Sequence, residues 1–397
     1  MPISKSVHNS LSRSSWIRRM FEEGNRLKEE FGADAVFDFT LGNPDLDPPE
    51  QLLARLRELT QQAPDGLHRY MQNAGWPHVR ESVASHLERR TDLPFAGNHV
   101  VMTVGAGGAL NTLLKAILNP GDEVIVLSPY FVEYQFYIDN HRGVMVQVPC
   151  DDTFAPDPVA LRSAVTPRTR AVLINSPNNP SGRVYSHEEL ERTCTALSAA
   201  ANEHGSPIYL ITDEPYRKIT YGAECPEIPQ YYKDTVVVTS SSKDLGLAGE
   251  RIGYLAISPE AADADELAAA CTFCNRTLGF VNAPSLFQLA VADCLDVSVD
   301  VDRYRTRRDL LHEHLVGLGF EIPAPEGAFY LFPKCPIDDD TKFVRELMEE
   351  RVLVVPGSGF GTPGYFRVSY AVPSDVIERS LPAWSRVAAR YPQLAAT

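Results

Sequence analysis

No apolar run in the 397-residue chain approaches the roughly 18 residues that span a bilayer. Internal repeats and low-complexity tracts are also lacking, which argues against a solenoid or a disordered linker. Basic residues are the minority: 37 Lys and Arg stand against 52 Asp and Glu, for a formal charge of −15. A nucleic-acid binder needs a basic face against phosphate, so neither nucleic acid nor membrane is an expected partner. Cysteine is sparse, with seven scattered residues, an odd number that suits no disulfide framework. Cys271 and Cys274 form a single CxxC with no second pair or His at ligand spacing. They read as packed helix thiols. His312 and His314 stand two apart and would not share a helix face, so no metal is expected.

The first twenty residues hold Lys5, Arg13, Arg18 and Arg19, many serines and no acid, a composition like a weak transit peptide. The preferred reading is an ordered arm entering a helix capped by Ser14 or Ser15, and hence a cytoplasmic protein.

Hydrophobic residues at 44% and charged residues at 22% are ordinary for a globular enzyme of two or more domains. From residue 98, β-rich runs alternate with helical patterns. Strands are predicted at His99–Val104, Glu123–Leu127, Val144–Val148, Ala171–Asn175, Ile208–Thr212, Thr235–Thr239 and Gly253–Ile257. Helices are predicted between them, among others at Ala109–Leu118, His187–Ala201 and Ala261–Cys274. Such alternation predicts an α/β fold with a mostly parallel seven-stranded sheet covered on both faces. After about residue 285, long helices (285–317 and 373–390) bracket short strands near Ala328–Phe332, Val352–Val355 and Phe366–Ser369. The expected division is an arm and part of a small domain at 1–49, a large domain at 50–285, and the rest of the small domain at 286–397.

Five segments carry candidate chemistry. Ser240-Ser241-Ser242-Lys243 follows an apolar strand and leads to Arg251. A dry pocket with a nearby cation would depress the Lys243 pKa and make it a nucleophilic amine. Alone, a loop lysine is more often a solvated charge. Asp213 ends another apolar strand, where open α/β sheets place ligands, and Tyr216 follows three residues later. Such a carboxylate can hold a pyridine nitrogen protonated, or merely cap a turn. Asn175-Ser176-Pro177-Asn178-Asn179-Pro180-Ser181-Gly182 is a rigid turn carrying amides. Gly105-Ala106-Gly107-Gly108 joins a strand to a helix, where backbone N–H groups bind phosphate. Arg367 lies in the apolar strand Tyr365–Tyr370 and needs an anion, either a substrate carboxylate or an internal partner.

In this order, and with Leu41-Gly42-Asn43-Pro44-Asp45 at the front, the segments resemble the class I/II aminotransferases of the fold-type I pyridoxal-phosphate enzymes. The resemblance runs over nearly the whole chain. It implies Lys243 as the Schiff-base lysine and proton carrier, Asp213 on the pyridine nitrogen, and Tyr216 and Asn179 on the ring oxygen. It implies a phosphate site made of Arg251, Ser240, Ser242 and the Gly105, Ala106 and Gly107 turn, with Phe131 stacked on the ring. Arg367 would grip the substrate α-carboxylate, with Gly42 and Asn179 beside it. Tyr70 would reach the phosphate of a neighbouring subunit, which implies a homodimer with interfacial active sites and a small domain that closes over substrate. The implied reaction is ping-pong transfer of an amino group between an α-amino acid and a 2-oxo acid. A lyase, racemase or synthase on the same fold is the alternative, because fold and cofactor residues do not separate them. A regulatory protein is disfavoured by the presence of Lys243 and by the lack of a basic helix-turn-helix before residue 41.

The chain departs from its family at two places. Some members read a distal carboxylate with a lysine where this chain has Gly107. Others send an arginine from before an Asn-Pro-like turn into the neighbouring subunit's pocket; Arg276 precedes Phe280-Val281-Asn282-Ala283-Pro284 about one residue out of register, and reads either as a substrate cation there or as a surface or interface salt bridge. Gly107 and Gly108 either widen the pocket or tighten helix–strand packing, the second being preferred. Pro356-Gly357-Ser358-Gly359-Phe360-Gly361 opens no helix and is not a dinucleotide loop. Asp338-Asp339-Asp340 reads as a solvated helix start.

Overall fold

The computed structural model describes residues 3–5, 7–8, 11 and 15–394; in helix α1 (Ser15–Phe31) side chains are described from Glu23 onward. The expected cap at Ser14 lies outside the described residues, as does the side chain of Ser15. Then come β1 (Phe37–Asp38), α2 (Glu50–Gln61), α3 (Pro77–Thr91), β2 (Val100–Thr103), α4 (Gly105–Ile117), β3 (Glu123–Ser128), α5 (Tyr134–Asn140) and β4 (Val144–Pro149). The middle of the chain forms α6 (Pro158–Ala164), β5 (Thr169–Asn175), α7 (His187–His204), β6 (Tyr209–Asp213), β7 (Thr235–Ser240), β8 (Gly253–Ile257) and α8 (Ala264–Thr277). The last part forms α9 (Ser285–Ala292), α10 (Val301–Gly317), β9 (Tyr330–Leu331), α11 (Asp340–Glu349), β10 (Val352–Leu353), β11 (Val355–Pro356), β12 (Phe366–Ser369) and α12 (Ser374–Ala388).

Seven strands form one sheet in the order β2-β8-β7-β6-β5-β3-β4. Neighbours from β4 to β7 are parallel, and β8 runs antiparallel to both β7 and β2. The continuous apolar runs of β5, β6 and β7 are buried because helices cover both faces of the sheet. The helices have local reasons to start and stop. Ser186 and Glu189 form a reciprocal capping box at the start of α7, and Gly205, at φ +66°, ends it. Because the strands share a direction, Ser128, Asn175, Asp213 and Ser240 end at one edge of the sheet. Thr103 and Gly253, paired with each other, lie at the same edge. That edge is where an open α/β sheet binds ligands.

A second core gathers around a two-stranded parallel sheet, β1-β10, and a three-stranded antiparallel sheet, β11-β12-β9. Its buried cluster joins Leu27, Phe37, Phe39 and Leu46 to residues from Val299 to Leu394. Arg307 of α10, 2% exposed, grips both oxygens of Asp45 at 2.7 and 2.8 Å and so ties the segment carrying Gly42 to this core.

The helix expected over 285–317 is two helices, α9 and α10, because the intervening Asp293–Asp300 segment carries three acids and no sustained apolar period. The strand expected at Val352–Val355 divides into β10 and β11, which join different sheets. Asp339 caps α11 as a helix start should, with its carboxylate accepting from Lys342 N at 2.9 Å; Asp340, however, is buried and accepts from Ser358 N at 2.6 Å. Arg307→Leu is expected to cost about 2–3 kcal/mol by removing the buried partner of Asp45, measured by chemical denaturation of the purified protein.

Candidate functional site

A cavity of about 430 Å³ opens at the shared strand edge, between the large sheet and the second core. Lys243, Asp213 and Tyr216 line it, as do Ser240, Ser242 and Arg251. So do Ala106, Gly107, Phe131, Asn179, Gly42 and Arg367. Three of the expected site residues lie outside its lining. Gly105 sits behind the wall against Arg251, whereas Tyr70 and Arg276 are on the surface.

Lys243 follows β7 in a turn fixed by the buried Leu245 and Leu247. Its Nζ donates to Gly42 O at 2.7 Å. Burial, then the positive charges of Arg367 and Arg251, push its pKa down to about 8, against the pull of Asp213. Gly42 has no room for a side chain, since a Cβ would stand 1.8 Å from Tyr330 Oη.

Asp213, at the end of β6, is held by its backbone as well as its side chain. Asn175 Nδ2 donates to its carbonyl at 2.7 Å, and Asn175 Oδ1 accepts from Asn179 N at 2.7 Å. Tyr134 Oη donates to Asp213 Oδ2 at 2.6 Å, while Oδ1 is buried with no partner. Burial pushes the Asp213 pKa up to about 7; Glu214 adds to this, and the Tyr134 hydrogen bond and Lys243 oppose it. A buried carboxylate oxygen without a donor is costly, and a ring N–H is the kind of partner that would relieve it.

Arg367 is buried between the rings of Tyr330 and Phe360, each centroid 4.7 Å from its guanidinium carbon. Its Nη1 donates to Asn179 Oδ1 at 3.0 Å and its Nη2 to Thr40 O at 2.6 Å, while Nε has no partner. Among the described residues no carboxylate pairs with it, so the internal ion pair left open by the sequence is absent and an anion is still wanted. Burial lowers its pKa. Tyr216 Oη lies 2.8 Å from Tyr330 Oη, and burial raises its pKa well above the ordinary value.

The phosphate-type cradle is built from glycine. Gly105 has φ +76°, and a Cβ there would meet Arg251 Nη2 at 2.9 Å. Gly253 presses on it, since a Cβ would come within 3.0 Å of Gly105 Cα. Ala106 and Gly107 line the cavity in the first turn of α4, where helix N–H groups have no intrahelical partner, beside Ser240, Ser242 and Arg251. The two other glycines differ in role. A Cβ at Gly108 would strike Val104 Cγ2 at 2.5 Å, so that glycine serves packing; one at Gly107 would meet only Tyr137 Oη, at 3.0 Å, inside the cavity.

Tyr70 is 90% exposed and lines a surface depression with Met71 and Phe280. Arg276 is exposed on α8, its guanidinium 5.4 Å from the ring of Phe273. Sequence reasoning missed Tyr134, Tyr330, Tyr137 and Glu133. Tyr134 had a signal, standing one helical turn after Phe131, whereas Tyr330 comes from a distant strand and had none. The donor set fits pyridoxal phosphate: an anion cradle at a helix start, an unpaired carboxylate for a ring nitrogen, an aromatic wall and a depressed amine.

Comparison with known proteins agrees. The family model described as aminotransferase class I and II matches residues 34–382. The chain is 37% identical over 378 residues to an aspartate/prephenate aminotransferase of Thermus thermophilus, covering 90% of this chain and 92% of the relative. It is 34% identical over 370 residues to an aspartate aminotransferase of Geobacillus stearothermophilus, covering 87% and 89%. An aminotransferase structure from Eubacterium rectale superposes with a TM-score of 0.95 at 38% identity, covering 98% of this chain and 99% of that one. The Thermus thermophilus aspartate aminotransferase with maleate superposes with a TM-score of 0.82 at 32% identity, covering 94% and 96%. With nearly its whole length shared in sequence and shape, the chain belongs to the class I and II aminotransferases and is a pyridoxal-phosphate-dependent enzyme that transfers amino groups.

Proposed function

We propose that Lys243 holds the cofactor aldehyde as a Schiff base and moves the substrate proton. The observation that carries this reading is a single amine whose pKa is lowered to about 8, 2.7 Å from Gly42 O and on the same cavity wall as the unpaired Oδ1 of Asp213. When bound, pyridoxal phosphate supplies an aldehyde that takes up amino groups and a cationic ring that draws electrons from the substrate α-carbon. Asp213 Oδ1 would accept the ring N–H and keep it protonated, while Tyr134 fixes the other oxygen. The amides of Ala106 and Gly107, with Gly105 behind them, Ser240, Ser242 and Arg251 would hold the phosphate. Phe131 would cover one ring face, and Tyr216 and Asn179 would meet the ring oxygen. Arg367 would take the substrate α-carboxylate, the anion its geometry lacks, with Gly42 beside it. Displaced by the substrate amine, neutral Lys243 Nζ would remove the α-proton as general base and return it to the former aldehyde carbon. An amino acid and a 2-oxo acid are the two substrates of such a cycle.

The divisions at 1–49 and 50–285 are part of the proposal. Helix α9 shares the apolar cluster of Leu52 and Val83, so the later boundary is better drawn after Ala292 than at 286. The smaller unit would close over substrate. A homodimer is supported by the exposure of Tyr70 in a depression it shares with Met71 and Phe280; Tyr70 would then serve the neighbour's phosphate. Seven thiols without a disulfide suit a reducing compartment, hence a cytoplasmic enzyme. No described helix is long and apolar enough to cross a membrane.

Three outcomes are expected. Adding an amino acid to the holoenzyme should remove the aldehyde-type cofactor absorbance, and Lys243→Ala should slow that change at least about 10³-fold. Release of ammonia from the amino acid in place of this spectral change would contradict the transferase reading. In cofactor-free protein, the rate at which pyridoxal phosphate is captured should rise with pH as the amine loses its proton. Its midpoint should lie near pH 8, not near 10.5, and Arg367→Gln, which removes a neighbouring cation, should move that midpoint upward. Tyr134→Phe should raise the Asp213 pKa further by deleting the hydrogen bond that lowers it, and weaken cofactor binding about tenfold in an equilibrium titration.

A further inference from the structure

Five charged side chains of this chain line the cavity: Lys243, Arg251 and Arg367 against Asp213 and Glu133. In the reading above the three cations take the aldehyde, the phosphate and the α-carboxylate, and Asp213 takes the ring nitrogen. Glu133 is left over. It stands just before α5, two residues after Phe131, and its carboxylate makes no hydrogen bond or ion pair with any described residue. It does not cap the helix that follows it. Partial burial raises its pKa. One turn further along, Tyr137 Oη occupies the space beside Gly107, the position from which some family members extend a lysine toward a distal carboxylate. The wall that would read a second substrate carboxylate thus presents a phenol and an acid. Arg276, the other candidate cation, does not line the cavity of its own chain and would reach only that of a neighbouring subunit.

We propose that Glu133 is a specificity residue and that the amino-acid substrate carries a side chain ending in a cationic amine or guanidine. This rests on the aminotransferase reading and names its substrate class. A basic side chain gives Glu133 the donor it lacks and lays its methylene stem on the apolar lining of Leu41, Leu110 and Val132. A dicarboxylate would instead set like charges together in a partly dry cavity with no cation of this chain to spare.

The test is a panel of half-reactions on the holoenzyme with lysine, ornithine, arginine, alanine, aspartate and glutamate, read as kcat/KM from the cofactor spectrum. In the wild type a basic donor should exceed aspartate and glutamate by at least about tenfold, the scale of one charge-assisted hydrogen bond. Glu133→Gln should lower the ratio of the best basic donor to alanine by about tenfold, and the charge reversal Glu133→Lys should move the ranking toward aspartate. Preference for alanine or a dicarboxylate in the wild type, or an equal effect of both substitutions on every donor, overturns the specificity proposal alone. A spectrum that no donor shifts, alanine included, overturns the aminotransferase reading and this proposal with it.

Discussion

An amine kept in a dry pocket between two arginines governs the rest of the site. Burial disfavours the charged form of Lys243, and Arg367 and Arg251 add repulsion, so the group sits near pH 8 where a free lysine would be fully protonated. Asp213 suffers the opposite effect of the same dryness and is pushed up to about 7. Neither group is in its comfortable state, and each lacks a partner that a phosphorylated pyridine aldehyde possesses. The strain is local and electrostatic; it is held in place by the sheet edge, where β6 and β7 end side by side, and by the second core that brings Arg367 and Gly42 over the top.

Shape does as much as charge. Gly42, Gly105 and Gly253 are places where a single Cβ would run into a side chain or backbone of the site. Replacing any of them would change the cavity before it changed the fold. The Arg307–Asp45 pair plays a comparable part at a distance, since it fixes the segment that offers Gly42 O to Lys243. Substrate closure would then act on a pocket that is already largely assembled, with Arg367 stacked and awaiting its anion.

Most of the large sheet could be read from residues because its inner strands are apolar, β-branched runs buried on both faces and followed by turn chemistry. The end residues that matter, Asn175, Asp213 and Ser240, could be read for the same reason: the edge of a parallel sheet is set by where apolar runs stop. The second core was less legible. Its strands are two to four residues long, so β10 and β11 looked like one, and the break between α9 and α10 lies in a segment whose polarity alone marks it. Site residues that arrive through packing were not legible at all. Tyr330 and its contact with Tyr216 join positions far apart in sequence. Whether Arg367 had an internal acid could be decided only by seeing that no described carboxylate approaches it. Glu133 carried no motif; its meaning came from counting charges around a cavity and finding one without a partner.

The central claim concerns one side chain, and it can be tested directly by borohydride reduction of the holoenzyme followed by peptide mass mapping. A single reduced phosphopyridoxyl modification on Lys243, absent in Lys243→Ala, is the predicted result. Modification at another lysine, or none in a protein that still binds the cofactor, would contradict the account.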